Sequence, residues 1–250
     1  MTRILPERLR VSAYYRLKPK VPISAFESAT LNYAPGVRMK LRPGDDFHSV
    51  IAAVGVYELP SSRLAAKLAR QGGLFVDVGA NYGYFTAIWL ANSKETTAIA
   101  IEPSPRVADC LRANLEANGL LPRTKVFELA ADRETSRRGF ALSPGEQTCW
   151  GHLTNAQADL HVQTVRLDEL VPDQHIALLK VDCEGADAWV IEGASGLLDR
   201  GLIAAILFEN NLEGCEELGI DPNVLPQILR AYGYRIRRLR DANWFATKDN

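Results

Sequence analysis

A doubly wound α/β domain is the fold class this sequence predicts, on three observations. Apolar strand-like runs at 74–79, 97–103, 125–131, 178–185 and 204–210 alternate with helical segments. The early runs are almost continuously apolar, as a mostly parallel sheet covered on both faces requires. The first run, FVDVG, breaks into a glycine-rich bend, ANYG, just before a helical pattern opens.

Residues 1 to about 45 carry prolines at 6, 19, 22, 35 and 43 and read as irregular, with a short helix or two. The stretch 47–71 has a mixed period. Its second half, SSRLAAKLARQGG, predicts a helix with a serine cap and a glycine stop. Residues 1–71 are therefore read as an N-terminal extension on the acceptor side, and 72–250 as the ligand-binding domain. In the latter, helices are expected over 84–92, 104–120, 186 to about 198, and 222–233. Val107, Cys110, Leu111 and Leu115 form the apolar stripe of the second. YRIRRLR and NWFATK predict a final antiparallel hairpin across Asp241-Ala242. The polar stretch from about 132 to 173, with one strand-like piece, LHVQTVRL, reads as an insertion over the C-terminal side of the sheet.

Net charge is −1 over 250 residues, so no overall field draws nucleic acid or an anionic membrane. RIRRLR reads as the solvated face of a late strand, and no basic-aromatic groove is evident. Cys110, Cys149, Cys183 and Cys215 are far apart, which argues against a structural zinc or a disulfide scaffold. Cys183 reads as a small buried residue. No apolar run approaches the roughly 20 residues of a membrane span, and the N-terminus is too charged for a signal-peptide core. The expectation is a soluble, cytoplasmic protein.

At the bend, a helix N-terminus offers unpaired N–H groups. Gly79 permits the tight turn, and Gly83 permits close approach of a ligand or of a neighbouring helix. Glu102 lies 23 residues beyond Gly79 at the end of the second strand, where an acid accepts hydrogen bonds from a ribose. The ligand is therefore read as adenosine-containing. Asn81 occupies the place of the second glycine in a dinucleotide fingerprint, and Asp77 would repel a diphosphate. Both suit S-adenosylmethionine, which carries an ammonium and a sulfonium but no phosphate. Asp77, Gly79, Ala80, Asn81, Tyr82 and Gly83 are assigned to its methionine part and Glu102 to its ribose, with Phe85, Thr86, Pro103 and Ala131 beside them.

VDVGANYGYFT, then AIEPSP, then LLKVDCEGADAWVIEGA resemble, in order and spacing, the FkbM-type family of S-adenosylmethionine-dependent methyltransferases. The resemblance covers about residues 72–210, and the third segment discriminates. The family pattern KxDxEGxE is met by Lys180, Asp182, Glu184 and Gly185, with Asp187 in place of the last Glu; ILFEN is similar to the strand that follows. The resemblance implies a class I methyltransferase fold and O-methylation of sugars or natural-product hydroxyls. It implies contact of Asp132 with the adenine amino group, and it likens Glu58 to a Glu that precedes the cofactor loop.

Asp182 and Glu184 alternate at a strand end and so share a face. Each could be base for the acceptor hydroxyl, ligand for a cation, or a group that orients the acceptor. Lys180 shares their parity and could pair with one of them. With Glu209 they resemble an oxygen-rich Mg2+ site, but no metal is assigned. His152 is the histidine placed near the acceptor. The rival readings are an NAD-dependent oxidoreductase and a non-catalytic cofactor-binding module of the same fold.

Overall fold

The computed structural model describes residues 6–17, 26–42, 44–145, 147–148, 150–171, 173–240 and 242–248. Pro19, Pro22, Pro43, Cys149 and Asp241 lie outside them.

The N-terminal extension is more regular than its prolines suggest. Helix α1 (Glu7–Leu17) is followed by a small antiparallel pair, β1 (Ser28–Thr30) and β2 (Arg38–Lys40), then α2 (Asp46–Val54) and α3 (Leu59–Ala69). The mixed period at 47–54 resolves as α2, which Asp45 caps by accepting the N–H of His48 at 3.1 Å. Helix α3 does not begin on its serines. It opens at Leu59, with Pro60 in the first turn and Glu58 at the cap in the left-handed region.

The central sheet follows the predicted rhythm. β3 (Gly73–Val78), α4 (Tyr84–Ala91), β4 (Thr96–Ile101), α5 (Pro105–Ala117) and β5 (Thr124–Phe127) form one half. The run expected at 125–131 stops at Phe127, because Ala130–Ala131 (β6) leaves the sheet to pair with a strand of the insertion. β7 (Arg137–Ala141), β8 (His152–Thr154) and β9 (Leu160–Val165) complete a four-stranded sheet with β6. The insertion is therefore built around its own small core, with Phe140, Leu153 and Val162 packed near Trp189.

Helix α6 (Leu167–Leu170) leads to β10 (Ile176–Val181), α7 (Asp187–Glu192), α8 (Ser195–Asp199), β11 (Ala205–Glu209), α9 (Leu212–Leu218), α10 (Val224–Ala231) and the hairpin β12 (Arg235–Arg240) and β13 (Asn243–Thr247). The single helix expected from 186 to 198 is two. The Asp168 carboxylate accepts the N–H groups of Gly196 and Leu197 at 3.1 and 2.9 Å, so a new helix start is stabilised there.

The seven strands run β12-β13-β11-β10-β3-β4-β5, parallel from β5 through β11, with β13 antiparallel to both its neighbours. The chain winds one way from β3 to β5 and the other way from β10 to β11, so the switch point lies between β3 and β10. Apolar cores cover both faces. One includes Phe75, Trp89 and Leu111 and takes in Leu31, Met39 and Phe47 of the extension; the other includes Val76, Leu179 and Ile206. Among the described residues no helix is long and apolar enough to cross a membrane.

Candidate active site

A cavity opens where the switch point predicts it, at the C-terminal ends of β3, β4, β10 and β11. Gly79, Ala80 and Asn81 line it after β3, Glu102 and Pro103 after β4, Asp182 to Glu184 after β10, and Glu209 at the end of β11.

The glycine bend is built by packing as much as by any ligand. At φ +73, Gly79 lies so close to β10's outgoing loop that a Cβ would stand 1.9 Å from the Asp182 carbonyl. Gly83, at φ +84, caps α4, and a Cβ there would meet Leu111 of α5 at 2.5 Å. Of the two roles open to Gly83, the structure shows helix packing. Asn81 takes φ 50, a conformation asparagine tolerates well, so it can stand where a dinucleotide fingerprint has glycine.

Glu102 is fixed from two sides. Its Oε2 accepts the Asn81 N–H at 3.0 Å, and its Oε1 accepts the Ser104 N–H at 2.9 Å. Burial still dominates and pushes the carboxyl up to about 7.

Asp77 is 1% exposed and takes a hydrogen bond from the Thr86 hydroxyl at 2.6 Å. Thr86 thus acts on Asp77 and does not itself line the cavity. Asp77 and Gly83 also sit behind the lining, as does Tyr82, whose ring packs on His48 with centroids 4.5 Å apart. Phe85 lines the cavity beneath the Lys180 ammonium, 4.9 Å from its ring centroid. Tyr84 is buried yet contributes to the cavity wall, and its hydroxyl accepts the Tyr57 N–H at 2.9 Å. Ala131 reaches the cavity, whereas the Asp132 carboxylate turns to Arg138 at 3.0 Å and to the Arg133 N–H.

The acidic end departs from strand parity. β10 stops at Val181, and Glu184 is in the left-handed region at φ 51. A loop, not an extended strand, brings Asp182 and Glu184 together, and with Glu209 their oxygens lie within 4.8 Å of one another. That span suits a divalent cation's ligand set. Lys180, 3% exposed, binds Asp182 Oδ2 at 2.7 Å. Burial opposes its charge, but Asp182, Asp77 and Glu58 hold the ammonium above its usual range. Burial, then Asp182, raises Glu184 to about 8; burial, then the neighbouring carboxylates, raises Glu209 to about 10. Glu58 joins this wall. Its Oε1 accepts from Asn243 Nδ2 at 3.0 Å, and its Oε2 is buried without a hydrogen-bond partner.

Asp187, the departure from the KxDxEGxE pattern, lines nothing. It accepts the N–H of Cys183 at 3.1 Å and of Glu209 at 3.3 Å, stitching the end of β11 to the loop after β10. Cys183 is half-buried, packing against the core on one side and lining the cavity on the other. His152 lines the cavity too, with Nδ1 2.9 Å from the Trp150 carbonyl and Nε2 3.5 Å from Glu217.

The roof was not legible beforehand. Phe47, Tyr57, Gln147 and Thr148 line the cavity from the extension and the insertion. The Thr148 hydroxyl donates to Asp45 at 2.6 Å, and Asn81 Nδ2 donates to the Thr148 carbonyl at 3.2 Å. Asp45 was detectable as a helix cap, but nothing local marks its partner 103 residues away.

The methyltransferase FkbM domain matches residues 77–236. The chain belongs to the FkbM methyltransferase family. The 2-O-methyltransferase NoeI of Sinorhizobium fredii (strain NBRC 101917 / NGR234) is 26% identical over 158 residues, 55% of this chain; the match spans 64% of that relative's length. The methyltransferase FkbM structure from Methylobacillus flagellatus KT superposes with a TM-score of 0.50 at 14% identity, over 94% of this chain and 60% of that one. An O-methyltransferase from Bacillus cereus in complex with SAH gives 0.50 at 14% identity, over 98% and 94%. At such identities the likeness shows the class I fold, which is the fold class the sequence predicts.

FkbM membership implies a methyl donor of the S-adenosylmethionine type, and this chain's donor set fits one. Buried Asp77 Oδ1 and Glu58 Oε2 lack hydrogen-bond partners, and an ammonium brings donors to such atoms. Acids border the cavity at Glu58, Glu102, Asp182, Glu184 and Glu209, an arrangement that repels a diphosphate.

Proposed function

We propose that the protein transfers a methyl group from S-adenosylmethionine to a hydroxyl of a sugar or other small hydroxylated metabolite. One observation carries the reading: a single cavity has Glu102 locked on one side by two backbone N–H groups and a second set of carboxylates gathered on the other. When bound, S-adenosylmethionine supplies an electrophilic methyl group on a sulfonium. Glu102 accepts the ribose hydroxyls, and the Gly79–Asn81 turn, backed by Asp77, holds the methionine end. Asp132 belongs to the loop, since Arg138 engages it.

At the other end, Asp182 is the base we assign for the acceptor hydroxyl. Lys180 holds its Oδ2, so Oδ1 is the oxygen presented to the acceptor. Glu184, fixed through Oε2 by Asn211 Nδ2 at 2.7 Å, orients that hydroxyl. His152 closes the site from the insertion. The free thiols of Cys110, Cys183 and Cys215 suit a reducing compartment such as the cytoplasm. An NAD-dependent oxidoreductase finds no support, because the acids that accommodate an ammonium would oppose a pyrophosphate.

Calorimetric titration with S-adenosylhomocysteine, with NAD in a parallel cell, tests the cofactor. Micromolar binding of the former alone is expected; binding of NAD alone would overturn the reading. Asp182→Asn tests the base. It is expected to bind S-adenosylhomocysteine normally while turnover falls by about 10²–10⁴-fold.

A further inference from the structure

The net charge of −1 hides a segregation of charge in the folded chain. Glu102, Asp182, Glu184 and Glu209 face the first cavity. Three neighbouring elements carry almost only cations instead. Helix α1 reads ERLRVSAYYRL, α3 reads LPSSRLAAKLA with Arg70 just beyond it, and β12 reads RIRRLR, so Glu7 is the one acid in the three. Arg63 of α3 takes up Glu7 at 3.2 Å. Arg8 and Arg16 of α1, Lys67 and Arg70 of α3, and Arg237 and Arg240 of β12 are all exposed.

Folding brings these elements to one side. Arg63 joins α3 to α1, and α3 packs on β12. A second cavity lies between α1, residues 56–61 and the final hairpin, with Tyr15 lining it from one side and Arg240 from the other. The register of the hairpin decides which way the arginines turn. Arg237 stands opposite Phe245, which shares a core with Ala65 and Ala69 of α3, and its guanidinium lies 5.1 Å from that ring's centroid. Residues directly opposite share a sheet face, so Arg237 is on the α3 side. Strict alternation would turn Arg240 to the other side. The register shift between Arg238 and Arg240 pairs Arg240 with Asn243 instead, which returns it to the face of Arg237.

Helix α1 adds a second character. Val11 packs inward with Val50 and Val54. The outward side of the helix mixes Arg8 and Arg16 with Leu9, 54% exposed, and Tyr15, 46% exposed. An aliphatic and an aromatic side chain between arginines suit the boundary of lipid headgroups and acyl chains, where the apolar groups enter and the guanidiniums stay among the phosphates. A duplex nucleic acid would engage the cations but leave Leu9 with no apolar surface to cover it.

We propose that the face formed by α1, α3 and β12 docks peripherally on an anionic phospholipid bilayer, with its exposed arginines and Lys67 at the headgroup phosphates and Leu9 and Tyr15 inserted between them. None of these residues belongs to the carboxylate set of the first cavity, so the docking stands apart from the methyltransferase reading.

The test is co-sedimentation of the full chain with vesicles of phosphatidylcholine alone and of phosphatidylcholine with phosphatidylglycerol. The mixed vesicles are expected to bind at least tenfold more protein than phosphatidylcholine alone. Raising NaCl from about 0.1 M to about 1 M, which shortens the screening length from ~10 Å to ~3 Å, is expected to release most of it. Lys67→Glu/Arg70→Glu/Arg237→Glu is expected to lose binding at least tenfold. Arg8→Glu/Arg16→Glu, on a different element, is expected to lose it severalfold and guards against a folding defect in the first variant. Leu9→Ser/Tyr15→Ser is expected to weaken binding severalfold without changing the charge. Lys125→Glu, an exposed cation on β5 at the opposite edge of the sheet, is expected to bind as the native chain does. The proposal is overturned if the mixed vesicles bind no better than phosphatidylcholine, if both charge reversals bind normally, if Lys125→Glu loses as much as they do, or if soluble glycerol 1-phosphate displaces the protein from the vesicles. Tighter binding of a duplex oligonucleotide or of polyglutamate than of the mixed vesicles would also overturn it, in favour of a nucleic-acid or an acidic protein partner.

Discussion

Glu102 shows how one residue links sequence, burial and ligand. The residue is 7% exposed, and two backbone donors do not fully offset its carboxylate's desolvation, which leaves it raised from 4.5 to about 7. Ribose hydroxyls would favour the charged form, so bound ligand should draw this group downward. Affinity for S-adenosylhomocysteine is therefore expected to rise as pH increases from 6 to 8, and Glu102→Gln should flatten that slope. The same substitution should weaken binding by about 1–3 kcal/mol, the scale of one hydrogen bond to a charged group; titrations at several pH values measure both effects. Lys180 is the complementary case. It is the buried cation that Asp182, Asp77 and Glu58 share, so Lys180→Met leaves three acids uncompensated. The expected cost is about 3–5 kcal/mol of stability, read from urea unfolding.

At the scale of elements, the turn after β3 and the loop after β10 are one unit. β3 and β10 pair in parallel register, Lys180 opposite Asp77 and Val181 opposite Val78. Their outgoing loops touch where Gly79 meets the Asp182 carbonyl. Gly79→Ala must therefore push the loop that carries Asp182, and at φ +73 it is strained as well. A loss of several kcal/mol is expected, together with weaker S-adenosylhomocysteine binding and turnover. If the variant melts and turns over as the native chain does, the coupling of the two loops is wrong. Asp187 extends the same logic across the sheet, since its carboxylate ties the β10 loop to β11 by accepting a backbone N–H from each.

Over the whole molecule, acids concentrate at one end of the sheet. Besides Glu102, burial and then Asp182 raise both Glu58 and Asp187 to about 7. Each holds a proton in the folded chain at pH values where the unfolded chain has released it. Stability must therefore fall as pH rises from about 4.5 through about 7. The melting temperature of the ligand-free protein is expected to drop between pH 5 and 8; a rise would mean that these carboxyls are not displaced upward. The extension belongs to the same cooperative body, because Leu31, Met39 and Phe47 share a core with Phe75 and Trp89 of the sheet.

The strand-helix rhythm, the bend at Gly79–Gly83, Glu102 after the second strand of the sheet and the acids at 182 and 184 were all legible in the sequence. Each depends on periodicity or turn chemistry within a few residues, which a local pattern encodes. The breaks at Phe127 and Gly193 were not, because strand pairing of β6 with β9 and capping by Asp168 override local propensity. Tertiary structure alone decided which residues close the site: Thr148 against Asp45, Asn243 against Glu58, and the second cavity between α1 and the final hairpin. Those partners stand 103 and 185 residues apart. Only closure of the sheet and packing of the extension against it bring them within hydrogen-bonding distance.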